Sequence, residues 1–99
     1  AQEQEMRLEE GSTRRVLGRI YLARQKLVRA ERELQNSLDI LEGLNSRYEM
    51  GKTLFQLARL RQAQDERAQM RESLERANVI FENLGARLDL AQVQDLTAR

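Results

Sequence analysis

Ninety-nine residues, 40% of them hydrophobic, supply one modest core and are too few for several domains. Seventeen basic and 16 acidic side chains leave a net charge of +1, which argues against a general polyanion binder. Cysteine, histidine and proline are all absent, which removes disulfides, thiolate chemistry, the commonest zinc ligand and the commonest general base, and points to an all-α chain.

The opening AQEQEMRLEE is polar and acidic and suits the first turns of a helix, where carboxylates favour the macrodipole. A first helix is predicted from about Met6 to Arg24, burying Leu8, Val16, Leu17, Ile20 and Tyr21. Gly18 costs about 1 kcal/mol of helix propensity relative to alanine, so close approach of another helix is the reason for it, as for Gly11. A second helix is predicted from about Leu27 to Leu44, because Ala30, Leu34, Ser37, Leu41 and Leu44 fall on one face. Asn45 is expected to take a left-handed cap, and Ser46-Arg47-Tyr48-Glu49 reads as a capping box opening a third helix. That helix carries Met50, Leu54, Leu57, Ala58 and Leu60 to about Ala63. Asp65 is expected to cap a fourth, with Met70, Leu74, Ala77, Phe81 and Leu84 on its face and Gly85 at its end. A fifth, from about Arg87 to Arg99, is expected to bury Leu88, Ala91, Val93 and Leu96.

The turns near Gln25 and Asp65 contain neither glycine nor proline, and RQKLVRAERE forms helix readily. An alternative therefore stays open: helices running straight through Arg24 to Ala30, as long rods in a bundle or coiled-coil dimer.

A shift of 40 positions superposes the chain on itself. Leu34 falls on Leu74, Ile40 on Ile80, Glu42 on Glu82, Leu44 on Leu84 and Asn45 on Gly85, while Gly11 falls on Gly51 and then Ala91. Such a period with helical spacing inside it marks an array of stacked hairpins. The units are 6–45, 46–85 and an incomplete 86–99, one helical-repeat domain expected to be part of a larger protein.

With these columns aligned, the chain resembles the tetratricopeptide repeat family over nearly its whole length. The pattern of large, small and large residues in the family's first helix is carried by Leu17-Gly18 with Tyr21 and by Leu57-Ala58 with Arg61. The second-helix pattern is carried by Ala30, Leu34 and Ser37, and by Met70, Leu74 and Ala77. The spacing is similar to the longer variant found in large bacterial regulators and signalling proteins. The resemblance implies an all-α, right-handed superhelix of antiparallel hairpins whose first helices line a concave face. That face would carry Ser12, Arg15, Arg19 and Leu22, then Lys52, Phe55, Arg59 and Gln62, then Gln92, Asp95 and Arg99. It also implies a cytoplasmic interaction, scaffold or sensing module.

Catalysis has little to stand on. The carboxylates at Glu9-Glu10, Glu31 with Glu33, and Glu72 with Glu75 suit solvated faces and intrahelical pairs such as Glu72 with Arg76. No metal-ligand spacing and no phosphate loop occurs, so a non-enzyme without cofactor is expected. No apolar run approaches the roughly 20 residues of a membrane span. Cations around Phe55 suit an acidic or carboxylate-ended peptide, with Arg15, Arg19, Lys52, Phe55, Arg59 and Gln62 as the candidate site. Arg7, Arg47 and Arg87, each followed two residues later by Glu9, Glu49 or Asp89, suit ion pairs that fix the stacking or, less favoured, ligand contacts. The basic run from Arg14 to Arg32 lacks interleaved aromatics, so nucleic acid is not the expected partner. Exposed ends of the array predict self-association.

Overall fold

The computed structural model describes residues 2–99. Five helices follow one another: α1 (Gln2–Ala23), α2 (Leu27–Gly43), α3 (Arg47–Ala63), α4 (Arg67–Leu84) and α5 (Arg87–Ala98). The tightest packing is α1 on α2 and α3 on α4, with α2 on α3 and α4 on α5 next and a direct contact of α1 with α3. The shortest dimension, 19 Å, leaves room for two layers of helices. One layer holds α1, α3 and α5, the other α2 and α4. Among the described residues no helix is long and apolar enough to cross a membrane.

The alternative of continuous rods does not occur, because the chain turns at Gln25 and Asp65 as it does at Asn45 and Gly85. These four residues have φ of 60°, 59°, 53° and 68°. Each turn closes with the same two bonds: Lys26 N–H to Tyr21 O at 2.9 Å and Gln25 N–H to Leu22 O at 3.0 Å recur after Asn45, Asp65 and Gly85. This is the Schellman arrangement, which satisfies the last carbonyls of a helix and then turns the chain back. Glycine fits it without strain, whereas an L side chain there costs on the order of 1 kcal/mol. Gln25→Gly and Asp65→Gly should therefore each raise the unfolding free energy by up to about 1 kcal/mol, read from urea unfolding. A loss of stability in both would show that these side chains hold the turns.

Two predicted caps are corrected. Asp65 is the left-handed residue that ends α3, and Glu66 is the N-cap of α4. Ser46 makes no side-chain cap bond, and Glu49 turns to α1 instead of back to Ser46. Helix α1 begins at Gln2 rather than Met6, and Ala1 lies outside the described residues.

The core runs along the inner faces of α2, α3 and α4, with Leu34, Leu41, Leu54, Leu60 and Phe81 all but fully buried. Leu38, Ile40 and Ile80 are buried as well. They were not expected because α2 and α4 each pack against helices on two sides, so their apolar stripe is wider than one face. The outer helices show the converse. Leu8, Val16 and Ile20 of α1 are exposed, as are Leu84 and Ala91, and Leu88 is 85% exposed. Each was expected in the core, but their columns lie at the ends or along the edge of the stack, where no further helix covers them.

The glycine column has a specific cause. A Cβ on Gly11 would lie 2.8 Å from Leu41, and one on Gly51 would lie 2.7 Å from the Phe81 ring. At Ala91, the third member, no helix crosses and the residue is exposed.

Candidate functional site

Helices α1, α3 and α5 turn one face outward together, and two adjoining clefts run across it. Arg15, Val16 and Arg19 of α1 meet Lys52, Phe55 and Gln56 of α3 and Asp89 and Gln92 of α5 around a cleft of about 240 Å³, floored by Phe81. The second, about 370 Å³, is bounded by Phe55, Arg59 and Gln62 of α3 and by Gln92, Asp95 and Arg99. Phe55 and Gln92 belong to both clefts, so the two form one groove. Arg15, Arg19, Lys52, Phe55, Arg59 and Gln62 thus all lie along it. Ser12 sits beside it, bonded to Glu49, whereas Leu22 packs partly buried against the core.

The cations are not equivalent. Arg15 Nη1 lies 2.8 Å from Glu49 Oε1, and Ser12 Oγ donates to the same oxygen at 3.1 Å. Lys52 Nζ is 3.5 Å from Glu49 Oε2 and 5.0 Å from the Tyr48 ring centroid. Arg15 and Lys52 are therefore already engaged by one carboxylate. Among the described residues Arg59 donates only to Gln56, at 3.2 Å. Among the described residues, neither Arg59 nor Arg19 forms an ion pair.

Burial pushes the Glu49 carboxyl up, but the Arg15 hydrogen bond and charge, the Lys52 charge and the Ser12 hydroxyl outweigh it and hold the group below its ordinary value. A depressed carboxylate stabilises the fold above its unfolded pKa, and that contribution disappears as pH falls through the lower folded value. Glu31 is depressed too, first by the Gln64 hydrogen bond, against burial, with Arg61 adding to it. Stability should thus decline as pH drops below the ordinary carboxylate value of 4.5. Glu49→Gln should lower stability at neutral pH and flatten this decline, as urea melts at several pH values would show. An unchanged slope would remove Glu49 from the acid response.

The repeated charged columns now divide by role. Glu49 of the second unit reaches back to Arg15 of the first, and Asp89 of the third accepts from Tyr48 Oη of the second at 2.8 Å. That bond raises the Tyr48 phenol above its ordinary value, with burial adding to it. The acids thus link successive units. Arg7 pairs with Glu10 at 2.9 Å on its own helix, and Arg47 and Arg87 are exposed.

Elsewhere the charges are structural. Arg14 of the basic run pairs with Glu33 at 3.0 Å inside the first hairpin, and Arg61 pairs with Glu31 at 3.1 Å between α3 and α2, across the two units. Arg76 pairs across the layer with Glu42 at 3.0 Å, in place of the expected partner Glu72. A buried chain was missed by the sequence reading: Ser37 Oγ donates to Gly11 O at 2.7 Å and lies 3.0 Å from Thr53 Oγ1. Its signal was present, since Ser37 and Thr53 fall on Ala77 and Val93 one unit later and both polar groups vanish together. Among the described residues no three His, Cys, Asp or Glu side chains gather as a metal site requires. Comparison with protein-family models, curated proteins and solved structures returns no match; the chain is a small all-helical domain of sequentially packed helices.

Proposed function

We propose that the chain is a non-catalytic, tetratricopeptide-like interaction module of a larger cytoplasmic signalling or regulatory protein. In this reading its units are 6–45, 46–85 and 86–99 of a right-handed superhelix, and the groove along α1, α3 and α5 takes an acidic peptide or a neighbouring segment. One observation carries it: the groove offers two guanidinium groups outside the ion pairs of the described residues, Arg19 and Arg59, either side of the half-buried Phe55 ring. Guanidinium forks bind carboxylates by charge-assisted hydrogen bonds, and an aromatic floor adds apolar contact. Nothing in the groove needs to move or react for this, which suits recognition rather than turnover.

The test is a titration of isotopically labelled protein with a synthetic peptide of aspartate and leucine residues. Amide shifts should concentrate at Arg19, Phe55, Arg59 and Gln62, and the double variant Arg19→Glu/Arg59→Glu should bind roughly tenfold more weakly. Shifts confined to α2 and α4, or affinity indifferent to the double variant, would remove the groove as the binding face.

A further inference from the structure

The first turns of α1 make no use of the core. Residues 2–9 are all exposed although helical, and Met6 is 66% exposed. On a helix, positions three before and four after a residue share its face. Met6 is therefore flanked by Glu3 and Glu10. On α3 the half-buried Phe55 of the groove is flanked at the same two offsets by Lys52 and Arg59. The two faces are complementary position by position: thioether against ring, carboxylates against cations.

We infer that these faces meet between two copies of the chain, with Met6 of one copy seated on Phe55 of the other. The inference rests on the reading of the groove as a site for acidic segments, and it names the segment. The contact cannot form within one copy. Helix α1 is continuous from Gln2 to Ala23, and at 1.5 Å per residue Met6 stays about 20 Å from Arg19 along its axis. The groove that Arg19 lines is thus out of reach of the same helix's opening turns. Existing pairs do not oppose the contact. Glu10 is held by Arg7 at 2.9 Å and more loosely by Arg14 at 3.9 Å, both solvent-accessible pairs that exchange partners at little cost. Lys52 sits at 3.5 Å from Glu49, the longest of the Glu49 contacts. The segment is short, so the association is weak, and it is sensitive to salt because both faces are charged and open to solvent.

Sedimentation velocity over a concentration series at low and high salt tests this. The wild-type chain should self-associate at low salt and dissociate at high salt. Glu3→Lys/Glu10→Lys and Arg59→Glu should each weaken association by about tenfold or more, and an equimolar mixture of the two should restore it, because the Arg59→Glu chain keeps an intact Met6 face and the Glu3→Lys/Glu10→Lys chain keeps an intact groove. Met6→Gln, which leaves both sets of charges in place, should weaken it as well. Glu3, Met6 and Arg59 are exposed and Glu10 is partly so, and circular dichroism melts verify that the variants fold. A monomeric wild type at every concentration, or association unaffected by the variants, would overturn the inference. Titrating the aspartate–leucine peptide into the same samples separates the two readings. Peptide binding without self-association leaves the groove standing and removes the second copy, and loss of both removes both.

Discussion

Gly18→Ala will destabilise the chain by roughly 2 kcal/mol and lower its melting temperature by roughly 10 °C, although alanine is the better helix former. A Cβ at Gly18 would lie 2.5 Å from Leu34 Cγ, 2.6 Å from Cδ2 and 3.3 Å from the Leu34 backbone nitrogen. Leu34 is fully buried in the middle of α2. Its branch point cannot swing aside as a chain end could, so α1 and α2 must separate. Overpacking of this kind costs about 1–3 kcal/mol or more and outweighs the ~1 kcal/mol that alanine gains over glycine in a helix. Gly43 is the internal control. It also lies in a helix, but a Cβ there meets nothing within 4 Å, so Gly43→Ala should stabilise by about 0.5–1 kcal/mol. Thermal and urea unfolding of both variants decides the matter, and two changes of the same sign would refute the close-approach account.

Ser37→Ala should lower stability by about 1–3 kcal/mol, while adding Thr53→Val to it should recover much of the loss. The hydroxyl of Ser37 carries one proton, and the Gly11 carbonyl, which can only accept, takes it at 2.7 Å. Thr53 must then donate in the 3.0 Å contact with Ser37 Oγ. Both side chains are fully buried, so removing Ser37 alone strands the Thr53 donor in the interior. Thr53→Val alone leaves the Ser37–Gly11 bond intact and should be milder, on the order of 0.5–1 kcal/mol. The double variant reproduces what the next unit already contains, Ala77 with the buried Val93. A double-mutant cycle should therefore show coupling of about 1 kcal/mol. Strict additivity would mean that the two hydroxyls act independently.

The helices were legible because Leu34, Leu41, Leu74 and Phe81 recur at helical spacing and again 40 residues on. The turns at Gln25 and Asp65 were less so. Their left-handed backbone is imposed by the Schellman bonds on a glutamine with no intrinsic preference for it and an aspartate with only a weak one, and the shared period with Asn45 and Gly85 reveals them. Leu88 misled for a related reason. Its place in the pattern matches Tyr48, but whether a column is covered depends on a neighbouring helix, which local spacing does not report. In the groove, the expectation that Arg15 and Arg59 share one face came from the family resemblance, whereas nothing in the sequence announced the difference between them. Arg15 is held by Glu49 of another helix, a partner 34 residues away, and charge pairing at that distance is invisible to helical periodicity.

The four turns stand 20 residues apart at Gln25, Asn45, Asp65 and Gly85, with the same bonds at each. The backbone thus counts in single helices, while the side chains count in pairs. Excising Leu27–Ser46 would join Lys26 to Arg47 at an equivalent point of the turn cycle, and the new loop would close with no more strain than the Gln25 turn already carries. Yet every helix after the junction would change layers, carrying Phe55 and Arg59 to the opposite side of the slab. Only even numbers of helices can be gained or lost without turning the groove inside out.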